Sequence, residues 1–494
     1  MLSEGMGSAE PEHLPIAIVG AGFAGIGLAI KLREAGIDDF TILERASELG
    51  GTWRDNTYPG CACDVASCLY SYSFAPNPDW SRAFSRQEEI LEYLRGVAAE
   101  YDVGRSVRYD VELLDARWDD AARHWALTTT RGPMTAGVLV PAMGPFGDPV
   151  LPELPGLDRF RGTKFHSKRW NHDHDLTGER VAVVGTGASA VQFVPELQRR
   201  VERLVVFQRT PPWIMPRFDR RTGARERALL RRFPFLQRAI RGLAYMTIEG
   251  LGLVIFVDRR WARPYEAVGR WQLRRQVPDP ELRRKLTPDY TIGCKRAILS
   301  DNYLPALAQP NVDVVTGSIV EVREGSIVTD DGAEHEVDTI VFGTGFDVPP
   351  RAAERFVGRD GRSIADVYAE RPQSYNGTCF AGFPNLFMFL GPFAAAGNQS
   401  ALYMLESQMA YMVDAVRTMR AAGARTVEVR PDVQAAFVDQ AEERSVDTVW
   451  VRGGCRSYYQ TPDGRNAGLW PRWSFEYRRR TRRFDAEAYV LEPA

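Results

Sequence analysis

Cysteine is scarce in this chain. Six in 494 residues are too few for the disulfide framework of a small secreted protein, which points to a reducing cytoplasm. No charge sign dominates either. A formal net charge of −2 leaves no overall basic excess for nucleic acid or for an anionic membrane surface. No repeat of solenoid period is visible. The longest apolar run, LAYMTIEGLGLVIFV at 243–257, is shorter than the ~20 residues a bilayer requires, and it carries Glu249. A buried or pocket-facing helix is expected there, and no membrane span. The opening residues MLSEGMGSAEPEH are acidic and polar, without the apolar centre of a signal peptide. What is present is an ordinary globular composition, 44% hydrophobic and 26% charged, at a length that calls for two or more domains.

One motif occurs twice. IAIVGAGFAGIGLAIKLREAG, 16–36, runs from an apolar strand into Gly20-x-Gly22-x-x-Gly25 and then an amphipathic helix. Gly20 permits the tight turn, Gly22 lets the backbone approach a pyrophosphate, and Gly25 lets the helix pack on the strand. The helix N-terminus then faces the phosphates. A second strand ends at Glu44, an acid placed to accept hydrogen bonds from a ribose 2′-OH. RVAVVGTGASAVQFVPEL, 180–197, repeats the pattern with Gly185, Gly187 and Ala190, and Ser189 stands in its first helical turn. Glu44 lies twenty-four positions after Gly20, and the same distance after Gly185 leads to Arg209, followed by Thr210. A carboxylate repels a 2′-phosphate, whereas a guanidinium binds one through paired hydrogen bonds. The first site therefore suits FAD and the second NADPH. A third apolar strand, VDTIVFGTGFD at 337–347, ends in Gly343-Thr344-Gly345, where Gly345 is expected to lie close to a cofactor.

Three of the six cysteines fall in GGTWRDNTYPGCACDVASC, 50–68, and Cys63 and Cys68 have the C-x4-C spacing of a redox dithiol. The register opposes that reading. In disulfide reductases the sulfurs follow the Gly-Gly-Thr directly, and here Trp53 and Tyr58 stand in those places, with Cys63 ten residues beyond the first of them. Cys61, Cys63 and Cys68 are expected to be small buried hydrophobes.

Without the cysteines, the box reads GGTW-x-x-N-x-YPG-x-x-x-D, and here the chain resembles the Baeyer–Villiger monooxygenases, flavoproteins that use FAD and NADPH. FRGTKFHSKRWNH, 160–172, matches that family's F-x-G-x-x-x-H-x-x-x-W fingerprint at Phe160, Gly162, His166 and Trp170, with Asn171 where Pro or Asp is usual. QRTPPW at 208, GCKRAILSDNYLPAL at 293, GPFAAAGNQS at 391 and GCRSYYQTPDGRNAGLWP at 454 extend the likeness over nearly the whole chain.

The resemblance implies that FAD, reduced by NADPH, takes up O2 as a C4a-peroxyflavin, which attacks a ketone and yields an ester or lactone. It implies that Arg296 is catalytic and stabilises anionic charge, and that Asp64 orients it. Gly51, Thr52, Trp53, Tyr58 and Asp64 would line the flavin. Lys295 would join Arg209 and Thr210 on the 2′-phosphate. His166 and Trp170 would couple domain movement to catalysis. The partners are then a small-molecule ketone and O2. His172 and His174 have a spacing open to a metal but no third ligand, so surface roles are expected. Oxygenation of nitrogen or sulfur, and reduction of a disulfide or small molecule without O2, stay open as alternatives.

The expected architecture is α/β with two Rossmann-like dinucleotide-binding domains, the second inserted in the first. The FAD domain is assigned 1–150 and 346–494, and the NADPH domain 151–212 and 291–345. Residues 213–290, rich in arginine and aromatics, form a helical insertion.

Overall fold

Strand Glu12–Val19 is the axis of the first sheet, and its apolar half, Ile16–Val19, is buried. A computed structural model describes residues 10–347 and 351–493, so most of the polar N-terminal segment lies outside the described residues. On one side the strand pairs in parallel with Phe40–Leu43, which pairs in turn with Val107–Arg108. On the other side it pairs in parallel with Gly132–Pro141. That strand continues through the antiparallel meander Leu113–Asp119 and His124–Thr129, and Phe356–Val357 closes the edge. Helix Phe23–Glu34 crosses from the first strand to the second and is buried along most of its length. It carries Gly27 where a Cβ would meet Met409 of helix Ala401–Ala421 at 2.5 Å. The missing side chain is what lets these two helices close on each other.

A second sheet of five strands is parallel throughout, in the order 312–315, 203–207, 180–184, 339–342, 163–166. Its central strands are near-continuous runs of buried β-branched residues, the pattern of a sheet covered on both faces. All five strands fall between residues 163 and 342, whereas Phe356–Val357 returns to the first sheet. The chain thus leaves one nucleotide-binding unit, builds another, and comes back.

Residues 213–290 are mostly helical, as composition suggested, with Ala224–Arg232, Pro234–Glu249, Ala262–Gln276 and Pro280–Lys285, while the short strand Ile214–Met215 pairs with Ile298–Leu299. The expectation for 243–257 holds for Val254 and Ile255, which are buried, and fails for Leu243, Met246 and Val257, which are exposed. The helix turns its one acid, Glu249, inward instead. That carboxylate accepts hydrogen bonds from Ser474 N at 2.6 Å, Ser474 Oγ at 2.8 Å and Gln399 Nε2 at 3.1 Å.

Candidate functional site

The two glycine loops are shaped by close backbone approach. Gly20 has φ +110°, and a Cβ there would meet Ala142 O at 2.8 Å. A Cβ on Gly25 would lie 2.0 Å from Gly20 O, so any side chain would push helix and turn apart. The second loop repeats the device: Gly185 has φ +108° and a Cβ there would meet Gly343 O at 2.5 Å. Gly22 and Gly187 are the N-caps of helices Phe23–Glu34 and Ala188–Gln198. Both helix N-termini are thus presented at strand ends, the arrangement that binds pyrophosphate.

Glu44 is buried at the end of the second strand. It accepts from Ala21 N at 2.8 Å and Ala46 N at 3.0 Å and pairs with Arg54 at 3.0 Å. Ala21 lies inside the glycine loop, so the acid and the loop are one unit. Arg209, its counterpart, is exposed at the end of strand Arg203–Phe207. Lys295 comes close to it: burial lowers the affinity of Lys295 for its proton, and the neighbouring Arg209 charge lowers it further. The two cations thus lie near enough for each to feel the other's charge. Thr210 is tied to this turn through its carbonyl, which accepts from Thr186 Oγ1 at 3.2 Å. Ser189 lies beside the Tyr58 hydroxyl.

The cysteine-bearing box joins the two loops. Gly50 N donates to Ala21 O at 2.9 Å, and a Cβ on Gly51, at φ +52°, would meet Gly22 Cα at 3.2 Å. Thr52 opens the short helix Thr52–Asp55. Trp53 is buried, and its indole donates to Tyr70 at 3.1 Å. At the other end Tyr58 donates to Gln192 Oε1 at 3.1 Å, and a Cβ on Gly60 would meet Gln192 O at 2.7 Å. Gln192 lies on the second dinucleotide helix, so the box bridges the two cofactor sites. Burial raises the thiols of Cys61, up to about 12, and of Cys63 and Cys68. All three are free and held protonated; Cys61 and Cys63 are buried as expected, whereas Cys68 is only half-buried.

Asp64 and Arg296 meet beside this bridge. Nε donates to Oδ2 at 2.6 Å and Nη2 to Oδ1 at 2.7 Å, a bidentate pair. Burial pushes the Asp64 carboxyl up, but the Arg296 guanidinium, its hydrogen bonds and the charge of Arg217 outweigh this and hold it below the ordinary value. Asp64 in turn raises Arg296 well above its usual range. The phenols of Tyr70, Tyr458 and Tyr459 sit close enough to feel the pair, and desolvation by the surrounding protein raises each of them, although the Tyr458 side chain is partly open to solvent. The result is a permanent cation with one carboxylate partner among neutral hydroxyls.

Cys294, next to Lys295 and Arg296, is bridged to Cys455, across a Cα–Cα distance of 6.1 Å. The link ties the loop of Arg296 to the loop of Tyr458 and Tyr459. Spacing gave no sign of it, because the two residues are 161 positions apart.

His166 ends strand Thr163–His166, and its Nδ1 accepts from Lys168 N at 3.1 Å. Burial brings its pKa down to about 4, with the Lys168 and Arg169 charges adding to the effect, so the ring is neutral at ordinary pH. It lies by Gly345, whose carbonyl accepts from Val150 N at 3.0 Å. Trp170 packs on Phe165 and on Phe193 of the second dinucleotide helix. His172 bonds to Thr57 at 2.7 Å, whereas His174 bonds to Glu179 and Thr339. Sequence reading missed Arg217, Gln192 and Lys168. Lys168 and Gln192 occupy variable positions inside the two motif segments and Arg217 lies outside any, so only the folded contacts give them a place.

Residues 17–222 match the family model described as pyridine nucleotide-disulphide oxidoreductase. A Baeyer–Villiger monooxygenase of Streptomyces coelicolor is 48% identical over 98% of this chain and 94% of its own length. Another from Pseudomonas aeruginosa is 46% identical over 98% of this chain and 92% of its own. Among solved structures, the OTEMO complex with FAD and NADP superposes with a TM-score of 0.87 at 26% identity, covering 98% of this chain and 100% of that one.

Proposed function

The chain belongs to the Baeyer–Villiger monooxygenases, and on that footing we propose that it uses FAD and NADPH to insert one oxygen atom of O2 beside the carbonyl of a small-molecule ketone. The glycine cradle and Glu44 fit FAD: Gly22 caps the helix whose N-terminus would face the pyrophosphate, and Gly51 packs on it with no side chain between them. The paired cations Arg209 and Lys295 fit the 2′-phosphate of NADPH. Bound FAD, reduced by NADPH, supplies the activated oxygen.

The chain's own residues do the rest. Arg296 places a charge that cannot be titrated away next to the negative charge that develops as the carbonyl is attacked. Asp64 fixes the guanidinium through two hydrogen bonds and balances its charge between turnovers. Tyr70, Tyr458 and Tyr459 line the pair with neutral hydroxyls and offer no competing anion. Trp53 and Tyr58 replace the sulfurs of a reductase, so reducing equivalents pass to O2. His166 and Trp170 sit between Gly345 and the second dinucleotide helix, where they would pass movement of the NADPH unit to the flavin side.

The bidentate Arg296–Asp64 pair carries this reading. It is tested by incubating the yellow protein with NADPH and a panel of linear, cyclic and aryl ketones, with mass detection of one added oxygen. A thioether run alongside distinguishes oxygenation of sulfur. Turnover of NADPH under nitrogen with a dithiol acceptor, and no oxygenated product, would replace the proposal with a reductase.

A further inference from the structure

Residues 234–257 form one 24-residue helical stretch that is long and apolar enough to cross a membrane. It is nevertheless fastened along one side to the protein. Arg241 Nη1 donates to the carbonyls of Cys68 and Ser71 at 2.8 and 2.9 Å. Tyr245 bonds to Ser474 at 3.0 Å, and Glu249 is only 3% exposed. Val254 and Ile255 are buried in a cluster with Trp213, Tyr459 and Trp450. Arg241, Tyr245 and Glu249 therefore turn toward the protein, while a strip of large apolar side chains faces out. Phe235, Leu243, Met246 and Val257 are 62%, 70%, 65% and 60% exposed, and Leu253 and Trp261 extend the strip. Leu243 and Met246, three positions apart, share one side of the helix. Water-soluble surfaces normally arrange such a helix the other way round.

The strip has a charged rim of one sign. Arg231, Arg232 and Arg238 flank its start, and Arg260 and Arg263 follow its end; all five are exposed. Among the described residues, Arg232, Arg238 and Arg263 pair with no carboxylate, whereas Arg231 reaches Asp79 and Arg260 reaches Asp258. The near-neutral total hides this asymmetry. Residues 213–290 hold eighteen Lys and Arg against eight Asp and Glu, a surplus of ten positive charges in a chain whose net charge is −2.

We propose that the outer face of residues 234–257 docks in the plane of an anionic phospholipid bilayer, with the apolar strip in the headgroup–acyl boundary and the arginine rim on lipid phosphates. Apolar strip and cationic rim together are the two components of interfacial binding. A second copy of this chain fits less well, because a two-fold contact would bring the same arginine rims together. A span is excluded by the inward anchors at Arg241 and Glu249. The binding is independent of which atom the enzyme oxygenates.

The test is co-sedimentation of the FAD-loaded protein with vesicles of phosphatidylcholine alone and of phosphatidylcholine mixed with phosphatidylglycerol. Binding to the anionic vesicles alone is expected, weakened by high salt. Leu243→Glu/Met246→Glu should reduce that binding at least about tenfold. Arg232→Gln/Arg238→Gln should reduce it on anionic vesicles and steepen nothing on neutral ones. Both variants should keep bound FAD and its reduction by NADPH, since all four positions are exposed. No binding by the parent protein, or equal binding by the Glu variant, overturns the proposal. A concentration-dependent dimer that the Glu variant dissolves, with no vesicle binding, would assign the face to a second copy and also overturn it.

Discussion

Arg296 and Asp64 are 232 positions apart in the chain and meet through two parallel hydrogen bonds of 2.6 and 2.7 Å. One end of the pair comes from the box that links the two glycine loops, the other from the loop that carries Lys295. Replacing Arg296 by Ala should abolish oxygenation while leaving the reduction of FAD by NADPH intact. The unpaired Asp64 should also cost about 1–3 kcal/mol of stability. Rapid-mixing absorbance and product analysis separate the two steps, and oxygenation at the parent rate would reject the role of Arg296.

Arg209, just past a strand end, and Lys295 lie near enough for the Arg209 charge to lower the proton affinity of Lys295. Arg209→Ala should raise KM for NADPH roughly ten- to a hundredfold, the worth of a charge-assisted hydrogen bond, and leave KM for NADH nearly unchanged. Equal use of both cofactors by the parent protein would contradict the assignment.

His166 makes folding stability pH-dependent. Its folded pKa is lowered from 6.5 to about 4, so below pH 6.5 the unfolded chain binds a proton that the folded chain does not. Stability is therefore lost as the pH falls from 6.5 towards 4, by about 2 kcal/mol at pH 5 relative to pH 8. Urea melts at both values should show the loss, and His166→Asn should flatten it. A His166 ring signal titrating near its ordinary value would refute the argument. Asp64 acts lower on the scale: its pKa is depressed, so its contribution is present above 3.8 and goes as the pH falls through the folded value.

The Cys294–Cys455 bridge closes a long loop between two segments that flank the arginine. A non-reducing digest should yield the two peptides joined. Cys294→Ser/Cys455→Ser should lower stability by about 2–5 kcal/mol. An unchanged Tm in reductant, with all six thiols free to alkylation, would count against the link.

Both glycine loops were legible in the sequence because their geometry is local. Gly20, Gly22 and Gly25 act through backbone shape within one turn, and Glu44 and Arg209 follow at a fixed strand-end distance. The same is true of Trp53 and Tyr58, whose register alone removed the dithiol reading. Where contacts are long-range, the sequence was silent. It could not indicate that Gln192 reaches the Tyr58 hydroxyl, that Arg217 adds its charge at Asp64, or that Cys294 finds Cys455. It misjudged the run at 243–257, because hydropathy records how apolar a helix is and not which side it turns inward. The sequence by itself, through motif and spacing, pointed to two nucleotide folds and the cofactor each prefers. Only the tertiary structure decided that Glu249 would be buried and Leu243 left outside, because Ser474 and Gln399 supply the hydrogen bonds that make an inward carboxylate affordable.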